Sequence, residues 1–313
     1  MRNTQKIWSI IAVSLLLFVR GVQAQQDPQY TMFMFNALAY NPAYAGSHDQ
    51  LSATLLGRKQ WVSFPGSPFT GTLNVHSPLK DDRMGLGLSL ISDKAGAFSQ
   101  NSFAGAYSYT LKFKKMRLAL GLQAMATNFS VDLAGARLNN GFQAPVDNAF
   151  ANNVSVFNVN FGTGAFLYGK DFFAGVSAPH LLNSGMEKKQ AADPTLARQD
   201  MHTYVMGGYL WQIDPVFELK PSAMIKMVKG APIQAEANLM LYGYKLAGIG
   251  LGYRSGDAVS VLTEIKALAN LNFAYAFDFS LSKLTKYNSG SHELILQYRF
   301  GFNKQKLTSP RLF

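Results

Sequence analysis

The stretch FAGAYSYTLK at residues 103–112, followed by MRLALGLQ at residues 116–123, decides the fold of this chain. Large apolar side chains occupy every second position in both stretches except at Gly105, and small or polar side chains fill the positions between them. Successive side chains of a β-strand point to opposite faces of the sheet, so this period-two alternation predicts strands. One face of each strand is strongly apolar, and the other is small and polar.

The same alternation recurs from residue 51 to residue 302 and predicts fourteen strands. Their predicted spans are 51–60, 69–78, 84–92, 100–112, 116–127, 154–168, 172–178, 202–211, 216–227, 232–242, 246–254, 258–266, 271–281 and 291–302. Hydrophobic residues make up 48% of the chain and charged residues only 15%. Because only helices and closed barrels satisfy the backbone in lipid, we predict an all-β fold, a 14-stranded antiparallel transmembrane β-barrel.

The first 24 residues predict a secretory signal. Arg2 and Lys6 precede an apolar run at 7–19, which is too short to span a bilayer, and small residues Val22 and Ala24 suit cleavage after Ala24. An uncleaved membrane anchor is the alternative. Removing residues 1–24, with three basic and no acidic residues, lowers the formal charge from +11 to +8. The remaining basic residues are scattered, so we expect no binding to nucleic acid.

The lengths of the connections predict the orientation of the barrel. Even-numbered connections are short, as periplasmic turns are, whereas the long connections at 128–153 and 179–201 are odd-numbered and therefore external. The even strand number puts both ends of the mature chain on the periplasmic side. Export and a barrel together predict an outer-membrane location. Twelve strands, or a soluble β-sandwich with one wet polar face, are the alternatives.

Residues 25–50 do not alternate, and they divide the chain into a signal at 1–24, this segment, and a barrel at 51–313. The segment is rich in Met and aromatic residues, which are costly to expose to water. We therefore predict that it plugs or lines the lumen from the periplasmic side; a strap outside the pore is the alternative. The candidate plug residues are Tyr30, Phe33, Phe35, Asn41, Pro42 and Tyr44.

Charged residues on the predicted inward faces carry both signs. They are Glu218, Lys220, Lys226, Glu236, Arg254, Glu264, Lys266, Asp278, Glu293 and Arg299. A diffusion pore also has a charged lumen, but charges removed from water need partners, which a plugged lumen provides. Aromatic residues near strand ends are candidates for the membrane interfaces, namely Trp61, Tyr109, Trp211, Tyr242 and Phe302.

The sequence gives little support for catalysis, a metal or a cofactor. The five histidines lack the spacing of metal ligands. His76 faces inward, where a hydrogen-bonded lumen residue is the ordinary case. Ser77 lies on the opposite face of the same strand, so the two cannot form the Ser–His pair of a membrane hydrolase. We predict that the protein is not an enzyme.

The two ends of the mature chain carry a family resemblance. The motifs are DPQY at 27–30 with NPAYAG at 41–46, RKQW at 58–61 with GSP at 66–68, and GSHEL at 290–294. Together they resemble the PorP/SprF family, and FGTGAF at 161–166 and FAGVS at 173–177 also fit.

This resemblance implies an outer-membrane protein of the type IX secretion system of Bacteroidetes, associated in some members with gliding motility. It implies binding of a secreted cargo adhesin through the adhesin's C-terminal sorting domain, for export or surface retention. The implied partners also include other type IX secretion or gliding components and outer-membrane lipid. The connections at 61–68, 128–153, 179–201 and 282–290 are the candidate cargo-facing surface, because binding residues concentrate on loops.

A transporter or porin function remains as the alternative. Asn41-Pro42-Ala43 also resembles the hatch of FadL-type barrels, which implies a transporter or porin for small or hydrophobic solutes. Such a protein would conduct or take up solutes, whereas a secretion accessory would retain a surface protein.

Overall fold

A computed structural model describes residues 27–79, 82–132, 154–182, 184–185 and 198–301. The predicted signal and its cleavage site lie outside these residues, as do most of the two long connections and Phe302. Within the described ranges, no helix is long and apolar enough to cross a membrane.

The described strands form one large antiparallel sheet and one small hairpin. In chain order they are β1 (Leu51–Lys59), β2 (Phe69–Pro78), β3 (Met84–Ala95), β4 (Phe98–Lys112), β5 (Met116–Val131), β6 (Val154–Gly169), β7 (Phe172–Ala178), β8 (Ser184–Gly185), β9 (Arg198–Gln199), β10 (His202–Tyr209), β11 (Trp211–Gln212), β12 (Phe217–Val228), β13 (Gln234–Gly243), β14 (Ala247–Arg254), β15 (Ala258–Leu268), β16 (Leu271–Ser280) and β17 (Ser291–Phe300). The two-residue strands β8 and β9 pair only with each other.

The large sheet is a closed barrel of fourteen strands, as predicted. Strands β10 and β11 both pair with β12 and form one barrel strand that is interrupted at Leu210. Each strand otherwise pairs with its chain neighbours, and β1 pairs with β17 to close the barrel. This closing seam runs from Leu51 opposite Phe300 to Lys59 opposite His292, and it places Arg58 directly opposite Glu293.

The two faces of the barrel wall differ as the alternation predicted. Large apolar side chains point outward and are exposed, as for Leu122 at 63% and Leu251 at 63%. Polar and charged side chains on the other face are buried, including Arg254 at 1%. An apolar exterior around a polar interior suits a barrel in lipid and excludes the β-sandwich.

Strand β5 is longer than predicted, because beyond residue 127 the apolar side chains occupy the inward positions and the polar side chains the outward positions. It pairs with β6 from Met116 opposite Gly169 to Val131 opposite Val154. In this extension Phe129 and Val131 face inward and are buried. An apolar outer face is needed only within the lipid, so a strand that continues into water loses the alternation on which the prediction rested.

The segment preceding β1 runs along the interior from one end of the barrel to the other. Asp49 contacts Arg117 near the start of β5, with 3.5 Å between Oδ1 and Nη1. Asp27 lies at the opposite end, where it contacts His180 after β7 and His202 at the start of β10. The first described residue and the start of β1 therefore lie at opposite ends of the barrel.

Candidate functional site

The segment 27–50 is compact and buried. It forms three 3₁₀ turns, Phe33–Phe35, Ala37–Ala39 and Pro42–Tyr44. Asn41 caps the third turn, because its side-chain oxygen accepts a 2.9 Å hydrogen bond from the Ala43 backbone. Each predicted plug residue is buried: Tyr30, Phe33, Phe35, Asn41, Pro42 and Tyr44.

Thr31 is held by hydrogen bonds from several strands. Its backbone nitrogen and that of Met32 each donate to a Glu293 carboxylate oxygen, both at 2.8 Å. Its hydroxyl donates to Asp278 at 2.8 Å and accepts from Arg58 at 2.6 Å and Arg254 at 3.0 Å. One residue thereby connects β1, β14, β16 and β17.

The groups around Thr31 also pair with one another. Arg58 bridges Asp278 at 2.6 Å and Glu293 at 2.9 Å. Arg254 pairs with Glu236 at 3.1 Å and lies 3.7 Å from Asp278. We call these five charged residues, together with Thr31, the Thr31 clamp. Because they are almost fully buried, each charge depends on its partners for the stabilisation that water would otherwise give.

The opposite wall holds the segment by close backbone approach. A Cβ atom on Gly121 would lie 2.5 Å from the Ala43 Cα atom, and one on Gly85 would lie 2.7 Å from the Ala45 carbonyl carbon. A Cβ on Gly164 would collide with the Asn41 side chain. These three glycines on β3, β5 and β6 are called the glycine cradle.

Side-chain hydrogen bonds complete the cradle. The Asn41 Nδ2 donates to the Ala165 carbonyl at 3.0 Å. Ser108 donates to the Ala45 carbonyl at 2.6 Å, and Ser177 donates to the Tyr40 carbonyl at 2.8 Å. These bonds satisfy polar groups of a segment that lies away from water.

An aromatic cluster fixes the C-terminal end of the segment. The Tyr44 ring packs edge-on against Phe166 and His76, with centroids 5.3 Å and 5.2 Å apart. The Gly46 backbone donates to His76 Nδ1 at 3.2 Å, so His76 is a hydrogen-bonded lumen residue. His48 lies 3.1 Å from the Tyr44 hydroxyl, and burial lowers the pKa of His48 well below its ordinary value.

The N-terminal end of the segment is held by two imidazoles. Asp27 Oδ2 lies 3.2 Å from His180 Nε2 and 3.4 Å from His202 Nδ1. Burial alone would raise the pKa of Asp27, but His180 and His202 hold it below its usual range. Burial alone would lower the pKa of His180, but the Asp27 carboxylate raises it. We call Asp27, His180 and His202 the outer clasp.

The predicted lumen charges fall into two groups. Glu236, Arg254, Asp278 and Glu293 belong to the Thr31 clamp. Glu218, Lys220, Glu264 and Arg299 lie nearer the other end of the barrel, where Lys220 Nζ is 4.3 Å from the Tyr242 ring centroid.

Tyr242 corrects one prediction. It was assigned to a membrane interface, but it is buried on the inward face and its hydroxyl donates to Glu264. The physical reason is strand period, since residue 242 shares its face with Glu236 and Asn238. Trp211, at 62% exposed, does lie on the outer surface.

Sequence reasoning missed several residues that hold the segment. Arg58 had a detectable signal, because it shares the inward face of β1 with Ser52, Thr54 and Leu56. His202 had the same signal, because it shares the inward face of β10 with Tyr204 and Met206. Thr31, Asp27 and His180 carried no periodic signal, since they meet their partners only in the folded chain. Among the described residues, no group of three or more His, Asp or Glu side chains could hold a metal ion.

Comparisons with solved structures agree with the barrel. The chain is similar to the Ralstonia pickettii toluene transporter TbuX, with 10% identity and a TM-score of 0.53, over 85% of this chain and 94% of that chain. It is also similar to a Pseudomonas aeruginosa FadL homologue, with 14% identity and a TM-score of 0.48, over 88% of this chain and 95% of that chain. At these identities the likeness concerns the fold alone.

Comparison with family models identifies the chain more closely. No curated protein sequence matches it significantly. The model described as "Type IX secretion system membrane protein PorP/SprF" matches residues 22–298. That match covers the barrel and the segment that contacts its interior. The chain therefore belongs to the PorP/SprF family of type IX secretion system membrane proteins.

Proposed function

We propose that this protein is an outer-membrane accessory of type IX secretion and gliding motility that binds a secreted adhesin through the adhesin's C-terminal domain. It acts by binding rather than catalysis, and its lumen is closed by residues 27–50. Family membership supports the secretion role. Its further partners are other secretion or gliding components and outer-membrane lipid, and its signal is removed after Ala24.

The contacts of the segment carry the closed-lumen part of the proposal. The Thr31 clamp and the glycine cradle engage the segment from opposite walls of the barrel, and both consist of inward-facing residues. A lumen occupied in this way leaves little room for passive diffusion. Mixed lumen charges that pair with each other and with the segment are consistent with closure and differ from the solvated lining of a porin.

An ordered external rim supports the cargo-binding part. The connection 60–68 is joined to the connection 281–290 by backbone bonds from Val62 to Gly290 and from Ser289 to Val62, both 2.8 Å. Phe64 at 40% and Tyr287 at 67% are exposed on these connections. Exposed aromatic side chains on a rigid rim are suited to binding another protein.

Co-purification tests cargo binding. The protein is extracted from native outer membranes, and bound chains are identified by mass spectrometry. We expect a surface protein with a C-terminal sorting domain, and we expect the Phe64→Ser/Tyr287→Ser double variant to retain much less of it. The matched control is Tyr244→Ser, since Tyr244 is 74% exposed on the periplasmic turn after β13. Equal recovery by all variants would reject the rim as the binding surface.

The FadL-like transporter or porin is the second candidate, favoured by the barrel of TbuX. Purified protein in liposomes distinguishes it. We expect negligible solute flux through the wild-type barrel and substantial flux after deletion of 25–46. Free conductance by the wild type, with no surface protein in the co-purification, would instead establish the transporter function.

A further inference from the structure

The outer clasp reveals the direction in which the N-terminal segment threads the barrel. His180 lies just after β7 and His202 begins β10, so both border the seventh connection between barrel strands. The seventh connection is on the external side if the short even-numbered connections are periplasmic. Asp27 contacts both histidines and therefore lies at the external mouth.

The rest of the segment follows in order along the barrel. The Gln29 side chain hydrogen-bonds to Gln234 at the outer end of β13. Asn41 bonds to Ala165, four residues from the inner end of β6. Gly46 packs against Pro78 at the inner end of β2, with 3.3 Å between an ideal Gly46 Cβ and Pro78 Cα. The contacts thus progress from the external mouth to the periplasmic end.

We infer that the N-terminal segment enters the barrel at its external mouth rather than from the periplasmic side, so that Asp27 and Gln29 lie at the external mouth and the start of β1 lies at the periplasmic end. The outer clasp and the hydrogen bond between Gln29 and Gln234 hold this end of the segment in place. The inference deepens the proposed function and rests on its orientation of the barrel.

Basic side chains surround Asp27 at this mouth. Lys226 lies on the inner face beside Tyr204, next to His202. The Lys226 Nζ atom and the His202 Nε2 atom are both buried and have no hydrogen-bond partner among the described residues. The contacts of Asp27 with His180 and His202 therefore hold the end of the segment at the mouth.

Cysteine labelling on intact cells tests the direction of threading, because the chain has no native cysteine. Gln29 and Gln50 form a matched pair, since both are half-buried glutamines at opposite ends of the segment. We expect Gln29→Cys to react with a membrane-impermeant maleimide on intact cells. We expect Gln50→Cys to react only after the outer membrane is permeabilised.

Two further cysteines fix the sides of the membrane independently. Lys286→Cys, on the connection between β16 and β17, should label on intact cells, and Lys114→Cys, on the turn between β4 and β5, should not. The inference is overturned if Gln29→Cys behaves like Lys114→Cys, if neither end of the segment labels, or if both ends label on intact cells. Labelling does not depend on cargo, so its failure with normal co-purification would reject the threading alone.

A short epitope inserted between residues 26 and 27 gives a second measurement, should Gln29→Cys fail to fold. Antibody binding to intact cells is expected for this insertion, as for an epitope inserted at Lys286. Antibody access that requires permeabilisation would overturn the inference.

Discussion

The two walls that hold the N-terminal segment do so by different physical means. The Thr31 clamp uses five buried charges on β1, β13, β14, β16 and β17, whereas the glycine cradle uses the lack of side chains on β3, β5 and β6. Charged groups fix one point through directional hydrogen bonds, and glycines fix a longer surface through close packing. The difference predicts opposite sensitivities, since the clamp fails when atoms are removed and the cradle fails when atoms are added.

The clamp also differs from the cradle in its place in the barrel. Arg58 and Glu293 face each other across the β1–β17 seam, and Thr31 bonds to both. The segment therefore connects the first and last strands at the point where the barrel closes. The cradle lies within a continuous run of neighbouring strands and has no role at the seam.

The largest effect is expected for Arg58→Ala in the clamp. Removing the guanidinium leaves Asp278 and Glu293 buried with fewer partners, and breaking a buried ion pair in this way costs about 3–5 kcal/mol. Denaturant unfolding of the purified barrel, followed by its heat-modifiable mobility on gels, measures the loss. We expect a lower midpoint together with raised conductance.

Lys112→Ala is the control for Arg58→Ala. Lys112 pairs with Asp82 at 4.0 Å, and both side chains are more than a third exposed. Exposed pairs contribute at most about 1 kcal/mol. A similar loss in both variants would mean that the clamp has no special role.

The next largest effect is expected for Gly121→Ala in the cradle. The added methyl group meets the backbone of Ala43, which cannot move aside as a flexible side chain can. Overpacking of this kind costs about 1–3 kcal/mol. The segment should be displaced, which single-channel recording would detect as added conductance.

Gly105→Ala supplies the matched control on the neighbouring strand. An added Cβ at Gly105 meets no atom within 4 Å. The two substitutions add the same methyl group to strands of similar length. Equal stability and equal conductance of the two variants would show that the close approach at Gly121 does not constrain the segment.

The comparison also shows why the sequence predicted some parts of this site and not others. Strand number and facing follow from local alternation, so Glu236, Arg254, Asp278 and Glu293 were assigned to the interior from sequence alone. The alternation also puts the cradle glycines on the face of small and polar residues, but the residues they approach lie far away in the chain. Thr31 and His180 meet their partners only through closure of the barrel, which no local pattern encodes.

A smaller effect is expected for Asn41→Ala, because Asn41 is the segment residue that meets the cradle at Gly164 and holds its place through hydrogen bonds. The substitution removes the cap of the Pro42–Tyr44 turn, and loss of such a cap costs about 1 kcal/mol. It also leaves the Ala165 carbonyl without its 3.0 Å donor. Thermal unfolding of the variant in detergent measures the change.

Ser282→Ala is the matched control, since Ser282 caps the Lys283–Tyr287 turn on the external rim. Both variants lose a capping side chain, but only Asn41 contacts the lumen wall. We expect Asn41→Ala alone to raise conductance. If Ser282→Ala raises it equally, the effect is general loosening of the barrel rather than release of the segment.

The smallest effect is expected from pH at the outer clasp, which combines the charge of the clamp with partial access to water. The pKa of His180 is raised when folded, so its contribution to stability is full below the ordinary histidine pKa and is lost as pH rises through the raised value. The pKa of Asp27 is lowered, so its contribution is present above the ordinary aspartate pKa and is lost in strong acid. Stability from the Asp27–His180 pair is therefore greatest in mildly acidic solution, between these two limits. Lys226, His202 and the Tyr204 hydroxyl also face Asp27 and remain unchanged in the test.

Thermal unfolding of the wild type and His180→Gln, from about pH 5 to about pH 9, should show a difference that shrinks as pH rises. A difference that stays constant over this range would mean that His180 holds Asp27 as a neutral donor, and the clasp would then act by hydrogen bonding in the manner of the cradle.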